Sequence, residues 1–329
     1  MTTAPALQPC ADVYNAPAML SLVIPVYKNE DNLPRLLREL EALAARVPEP
    51  FEVVFVVDGS PDRSAVILRE ALPTWRVASQ LIELSRNFGS FAAIAAGLRH
   101  GRGDLFAVIA ADLQEPPDLV LRFRELLASG GTDVVFGHCV GRADPWASRV
   151  MSDAFWALYR RFVVPDMPKG GIDVFGCTRV VRDRLLDLRE VNTNLLALLL
   201  WLGYRRAFVP YERRVRQEGR SAWTFARKVR YALDSVFNFT DLPIRLLLGL
   251  GTAATLFSVV AGITVLAAWA FGLVPVLGYT PLMLAIMSFG GLTALGLGIV
   301  GQYLWLSLQN TRNWSPFIVR SATEFDPRP

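Results

Sequence analysis

The first part of the chain alternates between short apolar runs and amphipathic stretches. Leu20–Val26 and Phe51–Val57 are continuous apolar runs that predict buried strands, whereas Asp31–Arg46 repeats leucine at helical spacing. The same reasoning predicts further strands at Gln80–Leu84, Leu105–Ala110 and Val134–Gly137, and helices near Ser64–Leu72, Ser90–Leu98 and Asp118–Leu127. Continuous apolar strands separated by helices are typical of a parallel sheet covered on both faces, so the predicted fold class is α/β.

The alternation weakens after Gly137. Val191–Trp201 predicts another helix, and Arg206–Val209 predicts a short strand. Trp146–Phe162 predicts a helix that combines aromatic residues with arginines. Such a helix suits either a membrane surface or the face of the sheet, and the sequence leaves both interpretations open.

Two long apolar segments follow, at Leu246–Phe271 and Leu282–Leu308. Each is long enough to cross a bilayer, and no Asp, Glu, Lys, Arg or His occurs between Leu246 and Thr311. Gly272–Pro281 joins them as a tight uncharged turn, so the pattern predicts a C-terminal two-helix transmembrane hairpin. Two buried helices of a soluble core are the weaker interpretation, because no soluble core needs two such segments in a row. Several glycines in these segments would allow close approach of the helices, namely Gly249, Gly251, Gly262, Gly290, Gly291, Gly296 and Gly298.

Composition supports a membrane protein. The 329 residues are 52% hydrophobic and have a mean hydropathy of +0.32. The net charge is only +4, but Glu212–Arg245 carries eight lysines or arginines against four acids. Such a stretch beside a membrane segment predicts attraction to anionic lipid headgroups, and nucleic-acid binding becomes the weaker interpretation. Arginines also follow the second segment, so the positive-inside rule predicts that both chain ends and the α/β domain lie in the cytoplasm at the inner or plasma membrane.

The predicted organisation has five parts. They are a disordered lead-in at 1–18, an α/β domain at 19–215, a basic interfacial segment at 216–245, the hairpin at 246–310 and a cytoplasmic tail at 311–329. The three cysteines, Cys10, Cys139 and Cys177, have neither disulfide nor metal spacing, so reduced thiols are expected.

Four loops follow predicted strand ends and are therefore expected at one edge of the sheet. The first runs from Pro25 to Glu30. Its Tyr27 is suited to stack on a nucleobase, and its Glu30 is suited to accept a hydrogen bond from the base. The second begins at Asp58, which would either accept from a base or ribose or form a plain Asx turn. The third contains Arg86, a cation beside a glycine-bearing turn.

The fourth loop is the acidic turn Ala111-Asp112-Leu113-Gln114-Glu115-Pro116-Pro117. A carboxylate at the end of a parallel strand lies where open α/β sheets bind ligands. Carboxylate oxygen is also the ligand type that Mg²⁺ or Mn²⁺ uses to reach a diphosphate. Asp112 is therefore the predicted anchor of a divalent cation.

These segments together resemble family 2 glycosyltransferases with the GT-A (Rossmann-like, nucleotide-sugar-binding) fold, in particular the polyprenyl-phosphate branch that includes dolichol-phosphate mannose synthase-like enzymes. The matching segments are PVYKNEDNL (25–33), VDGSPDRS (57–64), SRNFGS (85–90), ADLQEPPD (111–118) and RQEGRS (216–221). The resemblance extends to the two long apolar segments and to TRNWSPFIV (311–319).

The resemblance implies transfer of one sugar from a nucleotide sugar to a polyprenyl (undecaprenyl-type) phosphate, with inversion and with Mg²⁺ or Mn²⁺ as cofactor. UDP-sugars are the favoured donors, GDP-sugars remain open, and a homo-oligomer is compatible with it. The residues it implies for the nucleotide sugar are Pro25, Tyr27, Glu30, Asp58, Arg86, Gln114 and Ser221. Those it implies for the metal are Asp112 and Gln114, and those for catalysis are Asp112, Asp173 and Arg216, with Asp173 as base or acceptor-orienting group.

Three positions depart from the family pattern. Val57 and Ala110 stand where many relatives carry an additional acid, and Ala222-Trp223 replaces a Lys-Tyr type of pair. The first two leave one side-chain carboxylate for the metal, so water, the diphosphate and Gln114 would complete its coordination.

Two other functions fit part of the pattern. A processive polysaccharide synthase would need Gln-x-x-Arg-Trp, but Gln217-Glu218-Gly219-Arg220 is followed by Ser221. An inactive membrane scaffold with a GT-A-like domain would fit the missing acids. Polymeric products would indicate the first, and absence of metal-dependent nucleotide binding would indicate the second.

Overall fold

The computed structural model describes residues 18–48, 50–141, 172, 174–188, 195–214, 242–271, 279–311 and 315–327. The strands are β1 Leu20–Val26, β2 Phe51–Val57, β3 Ala78–Leu84, β4 Leu105–Val108, β5 Val134–Gly141, β6 Val174–Thr178, β7 Arg206–Glu212 and β8 Val319–Phe325. The helices are α1 Leu33–Ala44, α2 Ser64–Ala71, α3 Ser90–His100, α4 Asp118–Ala128, α5 Arg179–Asp187, α6 Leu195–Trp201, α7 Leu242–Ala270 and α8 Tyr279–Thr311.

The eight strands form one sheet in the order β7-β5-β6-β4-β1-β2-β3-β8. Strands β1 to β4 are parallel to one another, as the apolar runs predicted. The expectation of a wholly parallel sheet is wrong, because β6 is antiparallel to both β4 and β5 and β8 is antiparallel to β3. The domain is therefore an α/β fold with a mixed sheet.

Helices cover both faces of the sheet. Leucines of α1 and α4 pack in one buried cluster with the side chains of β1 and β2 that point the same way. On the other face, α3, α5 and α6 pack in a second cluster with Val23, Val54 and Val56. Burial on both sides explains why these strands are continuously apolar.

The amphipathic helix α1 begins at Leu33, after Asn32 and with Pro34 in its first turn, and it buries Leu33, Leu36 and Leu40 completely. Proline is favoured there because the first helical N–H groups have no partner within the helix. The predicted start at Asp31 is two residues early, since Asn29 to Asn32 form a hydrogen-bonded turn instead.

Helix α7 comprises 29 residues, and it begins before the predicted apolar segment Leu246–Phe271 and ends just before Phe271. Helix α8 comprises 33 residues and extends beyond the predicted segment Leu282–Leu308 at both ends. Many large apolar side chains on them are exposed, Leu256, Phe257 and Leu297 among them. A Cβ on Gly296 would lie 3.5 Å from Leu247, whereas at Gly249, Gly251, Gly290, Gly291 and Gly298 it would meet nothing within 4 Å. Across the part of the chain that the structure describes, no helix satisfies the length and apolarity expected of a membrane span.

The segment after α8 does not remain a free tail. Residues 319–325 form β8, which pairs with β3 from Leu84 to Ser79 and forms one edge of the sheet. Its sequence, VRSATEF, is mostly polar and exposed, so apolar periodicity gave no signal for it. The chain therefore returns to the domain after the two long helices.

The two cysteines among the described residues, Cys139 and Cys177, are both buried. Burial raises the pKa of the Cys177 thiol to about 12. Both cysteines lie on neighbouring sheet strands, β5 and β6. They act there as small apolar residues.

Candidate active site

The loops that follow β1, β2, β3 and β4 lie at the same edge of the sheet, because these four strands are parallel. We call them loop 1 (residues 27–32), loop 2 (58–63), loop 3 (85–89) and loop 4 (109–117). This edge is where open α/β sheets bind their ligands.

Loops 1 and 2 are joined through Asp62. Its carboxylate accepts hydrogen bonds from the hydroxyls of Ser60 (2.6 Å) and Ser64 (2.9 Å) and from the backbone N–H of Glu30 (3.1 Å). Burial alone would raise the pKa of Asp62, but these hydrogen bonds outweigh it and lower the pKa below its ordinary value. The backbone N–H of Lys28 also donates to Ser60 Oγ (2.8 Å). Asp62, which sequence reasoning missed, thus fixes the shape of both loops.

Glu30 is engaged at the start of α2. Its Oε2 accepts from the backbone N–H of Arg63 at 2.8 Å, where the first helical N–H groups lack partners. Tyr27 precedes it and has the ammonium of Lys28 5.6 Å from its ring centroid. Pro25 lies within β1, opposite Val56, one residue before the strand ends. Pro25, Tyr27 and Glu30 therefore lie at the predicted edge, and their contacts with a nucleoside remain a prediction.

Asp58 joins loop 2 to loop 3. Its Oδ1 accepts from the backbone N–H of Phe88 (2.7 Å) and its Oδ2 from that of Gly89 (2.8 Å). The residue is 3% exposed. Burial raises the pKa of Asp58, and the two hydrogen bonds and the positive charge of Arg86 offset this only in part. An Asx turn is the alternative role predicted for Asp58, but the residue that accepts from an N–H two positions on is Asp62, whose Oδ1 binds the Ser64 N–H (3.2 Å).

Gly59 allows the same two loops to approach closely. Its φ of +54° is in the left-handed region, and a Cβ placed there would lie 2.3 Å from the backbone carbon of Arg86. No side chain fits at this distance. The guanidinium of Arg86 stacks on the ring of Phe88, 4.4 Å from its centroid, at the same junction.

Loop 4 carries the acidic turn and a strained residue. Leu113 has φ +56°, although leucine is unfavourable in the left-handed region. Its side chain is buried in the core cluster, which holds the turn in place. The Gln114 N–H donates to Asp112 Oδ1 at 3.3 Å. Backbone strain of this kind concentrates at functional sites, so the turn is the strongest candidate for chemistry at this edge.

The strand β7 delivers a basic segment to loop 4. The backbone N–H of Arg214 donates to the carbonyl of Gln114 (2.9 Å), and Arg214 Nη1 contacts Glu39 Oε2 at 3.0 Å. Arg213 Nη2 lies 3.9 Å from Glu115, a carboxylate that is almost fully buried. Sequence reasoning missed Glu115 and Arg213, and the only signal was an acid placed directly before two prolines.

Three predicted residues, Asp173, Arg216 and Ser221, lie outside the described residues, as does the predicted helix Trp146–Phe162. Among the residues that the structure does describe, no group of three or more His, Cys, Asp or Glu side chains is arranged to hold a metal ion. Both predicted metal ligands, Asp112 and Gln114, belong to the described residues and lie together in one turn.

Comparisons with known proteins agree with this arrangement. Residues 21–188 match the family model described as glycosyl transferase family 2, which includes all four loops. An uncharacterized glycosyltransferase of Synechocystis sp. is 32% identical over 87% of this chain and 89% of its own length. The undecaprenyl-phosphate 4-deoxy-4-formamido-L-arabinose transferase of Pseudomonas aeruginosa is 32% identical over 94% of this chain and 91% of its own length.

A solved structure also resembles the chain over most of its length. It is the mannosyltransferase from Pyrobaculum calidifontis in complex with GDP-Man and Mn²⁺, which is 17% identical over 88% of each chain with a TM-score of 0.44. The family match and the two relatives decide the assignment: the chain belongs to glycosyl transferase family 2 and is a glycosyltransferase.

Proposed function

We propose that this glycosyltransferase moves a single sugar from a nucleotide sugar to a polyprenyl phosphate of the undecaprenyl type, with inversion, at the cytoplasmic face of a membrane. UDP-sugars are the favoured donors. Relatives named as undecaprenyl-phosphate transferases support the acceptor, because the similarity includes the two long apolar helices as well as the α/β domain.

The observation that carries the proposal is the junction between loop 4 and the end of β7. The hydrogen bond from the Arg214 N–H to the Gln114 carbonyl attaches the residues just after β7 directly to the turn that bears Asp112. A donor diphosphate and an acceptor phosphate are both anionic, and their reaction requires them to meet beside positive charge. The nearness of Arg214 to the turn that carries Asp112 supports a site in which the two phosphates and a cation would meet.

A divalent cation fits this region, although a single carboxylate is available. Mg²⁺ is commonly bound by one or two carboxylates, with waters and substrate phosphates completing its octahedron. Asp112 and Gln114 would hold such an ion, which would arrive with the diphosphate and stabilise the negative charge of the leaving group. The absence of further acids at Val57 and Ala110 is compatible with a site that is complete only when the donor is bound.

The remaining residues would bind and orient the substrates. Pro25, Tyr27, Glu30 and Asp58 would surround the nucleoside, with Arg86 beside them. Arg216 and Ser221 would bind phosphate oxygens, and Asp173 would orient the acceptor. A polyprenyl phosphate oxygen is already ionised at neutral pH, so positioning is more important than removal of a proton.

We place α7 and α8 in the membrane as a hairpin with both ends on the cytoplasmic side. Their exposed leucines and phenylalanines and the absence of Asp, Glu, Lys, Arg and His between Leu246 and Thr311 support this. The sheet supports the orientation, because β7 precedes the two helices, β8 follows them and both strands belong to the same sheet. Two crossings return the chain to the side from which it started.

The direct test is transfer of radiolabel. Membranes containing the full chain are incubated with labelled UDP- or GDP-sugars, Mn²⁺ and undecaprenyl phosphate, and the lipid-phosphate fraction is counted. The expected product is a polyprenyl phosphate carrying one sugar. Long polymers would replace the proposal with a processive synthase, and no lipid-linked label from any donor would overturn it.

A further inference from the structure

The segment after α8 reaches the donor edge of the sheet and not only its outer strand. The Ser85 N–H, at the start of loop 3, donates to the carbonyl of Ile318 at 2.9 Å. Val319 then pairs with Leu84, the last residue of β3, and the register shifts between Glu83 and Leu84. Residues 318 and 319 therefore continue the hydrogen bonding of the sheet to the first residue of the loop that contains Arg86.

Phe317 anchors this segment in the core. It is 5% exposed and belongs to the buried cluster that also contains Leu84 and the inner side chains of α3. The guanidinium of Arg99, in the last turn of α3, lies 5.4 Å from its ring centroid. Phe88 of loop 3 packs against the same cluster. Removing the ring would leave a cavity between the segment and the helix that follows loop 3.

The turn that presents Phe317 is itself constrained. Ser315 Oγ donates to the Phe317 carbonyl at 2.6 Å, and Pro316 between them has a fixed φ. The turn therefore fixes the backbone that carries Phe317.

Loop 3 in turn determines the environment of Asp58. Both oxygens of that carboxylate bind loop 3 N–H groups, and Gly59 contacts the backbone of Arg86. A continuous set of contacts thus runs from Phe317 and Ile318 to loop 3, and from loop 3 to Asp58.

We propose that Phe317 is a positioning residue for donor binding: by holding loop 3 against Asp58 it raises the affinity of the site for a nucleoside diphosphate. The inference uses the proposed function only to name the ligand. The contacts that support it all lie within the chain itself.

The first test needs no substrate. Backbone amide exchange is measured on the full-length protein in lipid nanodiscs for Phe317→Ala, for wild type and for the control Ile318→Ala, whose side chain is 57% exposed in the same segment. Amide exchange at residues 86–89 is expected to rise in Phe317→Ala, whereas exchange in α4 should not change. In the control Ile318→Ala, exchange at residues 86–89 should equal that of wild type. Unchanged exchange at 86–89, or a rise there only in step with α4, would overturn the proposal.

The second test measures binding of UDP and of GDP, each with Mn²⁺, by calorimetry. The affinity for the nucleotide that wild type binds should fall roughly 10-fold in Phe317→Ala, within the range that coupled sites show. Phe317→Leu, which retains apolar volume, should recover most of it. In transfer assays, KM for the donor should rise more than kcat falls. Absence of nucleotide binding by wild type would count against the proposed function and leave the exchange result to decide this inference.

Discussion

The Oδ2 of Asp58 lies 2.8 Å from the backbone nitrogen of Gly89, so a buried carboxylate joins the ends of β2 and β3. Its other oxygen accepts from Phe88. An ionised carboxylate has about four acceptor positions, so these bonds leave room for a ligand. Asp58 therefore connects loop 2 to loop 3 whether or not it also contacts a nucleoside.

Asp58→Asn should destabilise the protein by about 1–3 kcal/mol, because the amide leaves one loop 3 N–H without an acceptor in a buried place. Thermal unfolding of the purified protein measures the loss. Asp31→Asn, an exposed aspartate beside loop 1, is the control and should change little. Equal melting temperatures for the two variants would show that the hydrogen bonds between Asp58 and loop 3 contribute nothing to stability.

Gly59→Ala should be much more damaging than Gly130→Ala. Both glycines have positive φ, +54° and +72°, so each substitution carries a backbone cost of about 1–2 kcal/mol. Only at Gly59 does a Cβ meet other backbone, whereas nothing lies within 4 Å of one at Gly130. The difference in stability between the two variants measures the contact with Arg86, and similar losses would contradict it.

Asp112→Asn should reduce sugar transfer by roughly 10²–10³-fold, the scale observed when one electrostatic group of an active site is removed. Mn²⁺-dependent binding of the nucleotide should weaken with it, since the amide carries no charge for the cation. The control is Asp118→Asn, which changes an exposed carboxylate at the start of α4 that pairs with Arg46. If the two variants transfer sugar at the same rate, Asp112 is not a metal ligand.

Arg69→Met should destabilise the protein at neutral pH but not in acid. Arg69 Nε and Nη2 donate to the two oxygens of Glu83, at 2.7 and 2.8 Å, and this pairing holds the pKa of Glu83 below its ordinary value of 4.5. A lowered pKa means that the stabilisation is present above about 4.5 and is lost as the pH falls through the folded-state value. The half-exposed arginine limits the effect to about 1 kcal/mol. Denaturant titrations of both proteins across this range give the measurement, and a difference independent of pH would exclude the ion pair as its cause.

The parallel strands could be predicted because burial on both faces requires continuous apolar runs, as in LSLVIPV and FEVVFVV. Two strands could not. The strand β6, VFGCT, has only five residues and contains a glycine. The strand β8 is polar because one side of it has no neighbour in the sheet. Both strands form because they hydrogen-bond to a neighbouring strand, and the apolar pattern of a single sequence does not predict that pairing.

The site was predictable as a set of loops but not as a network. Strand ends placed Asp58, Arg86 and Asp112 at one edge, because parallel strands end on the same side. The partners of these residues depend on distances across the edge. The Phe88 and Gly89 N–H groups that bind Asp58 are 30 or more residues away in the chain, and the link from Gln114 to Arg214 is longer still.

The position of β8 has a consequence for how the protein is made. Domains tend to fold in the order in which they leave the ribosome. The outer strand that borders loop 3 is translated only after α7 and α8, so the nascent α/β domain emerges with β3 as an uncovered edge. Nucleotide-binding competence would then be acquired as a late event of biosynthesis, once the helical pair has been synthesised and the final strand has docked.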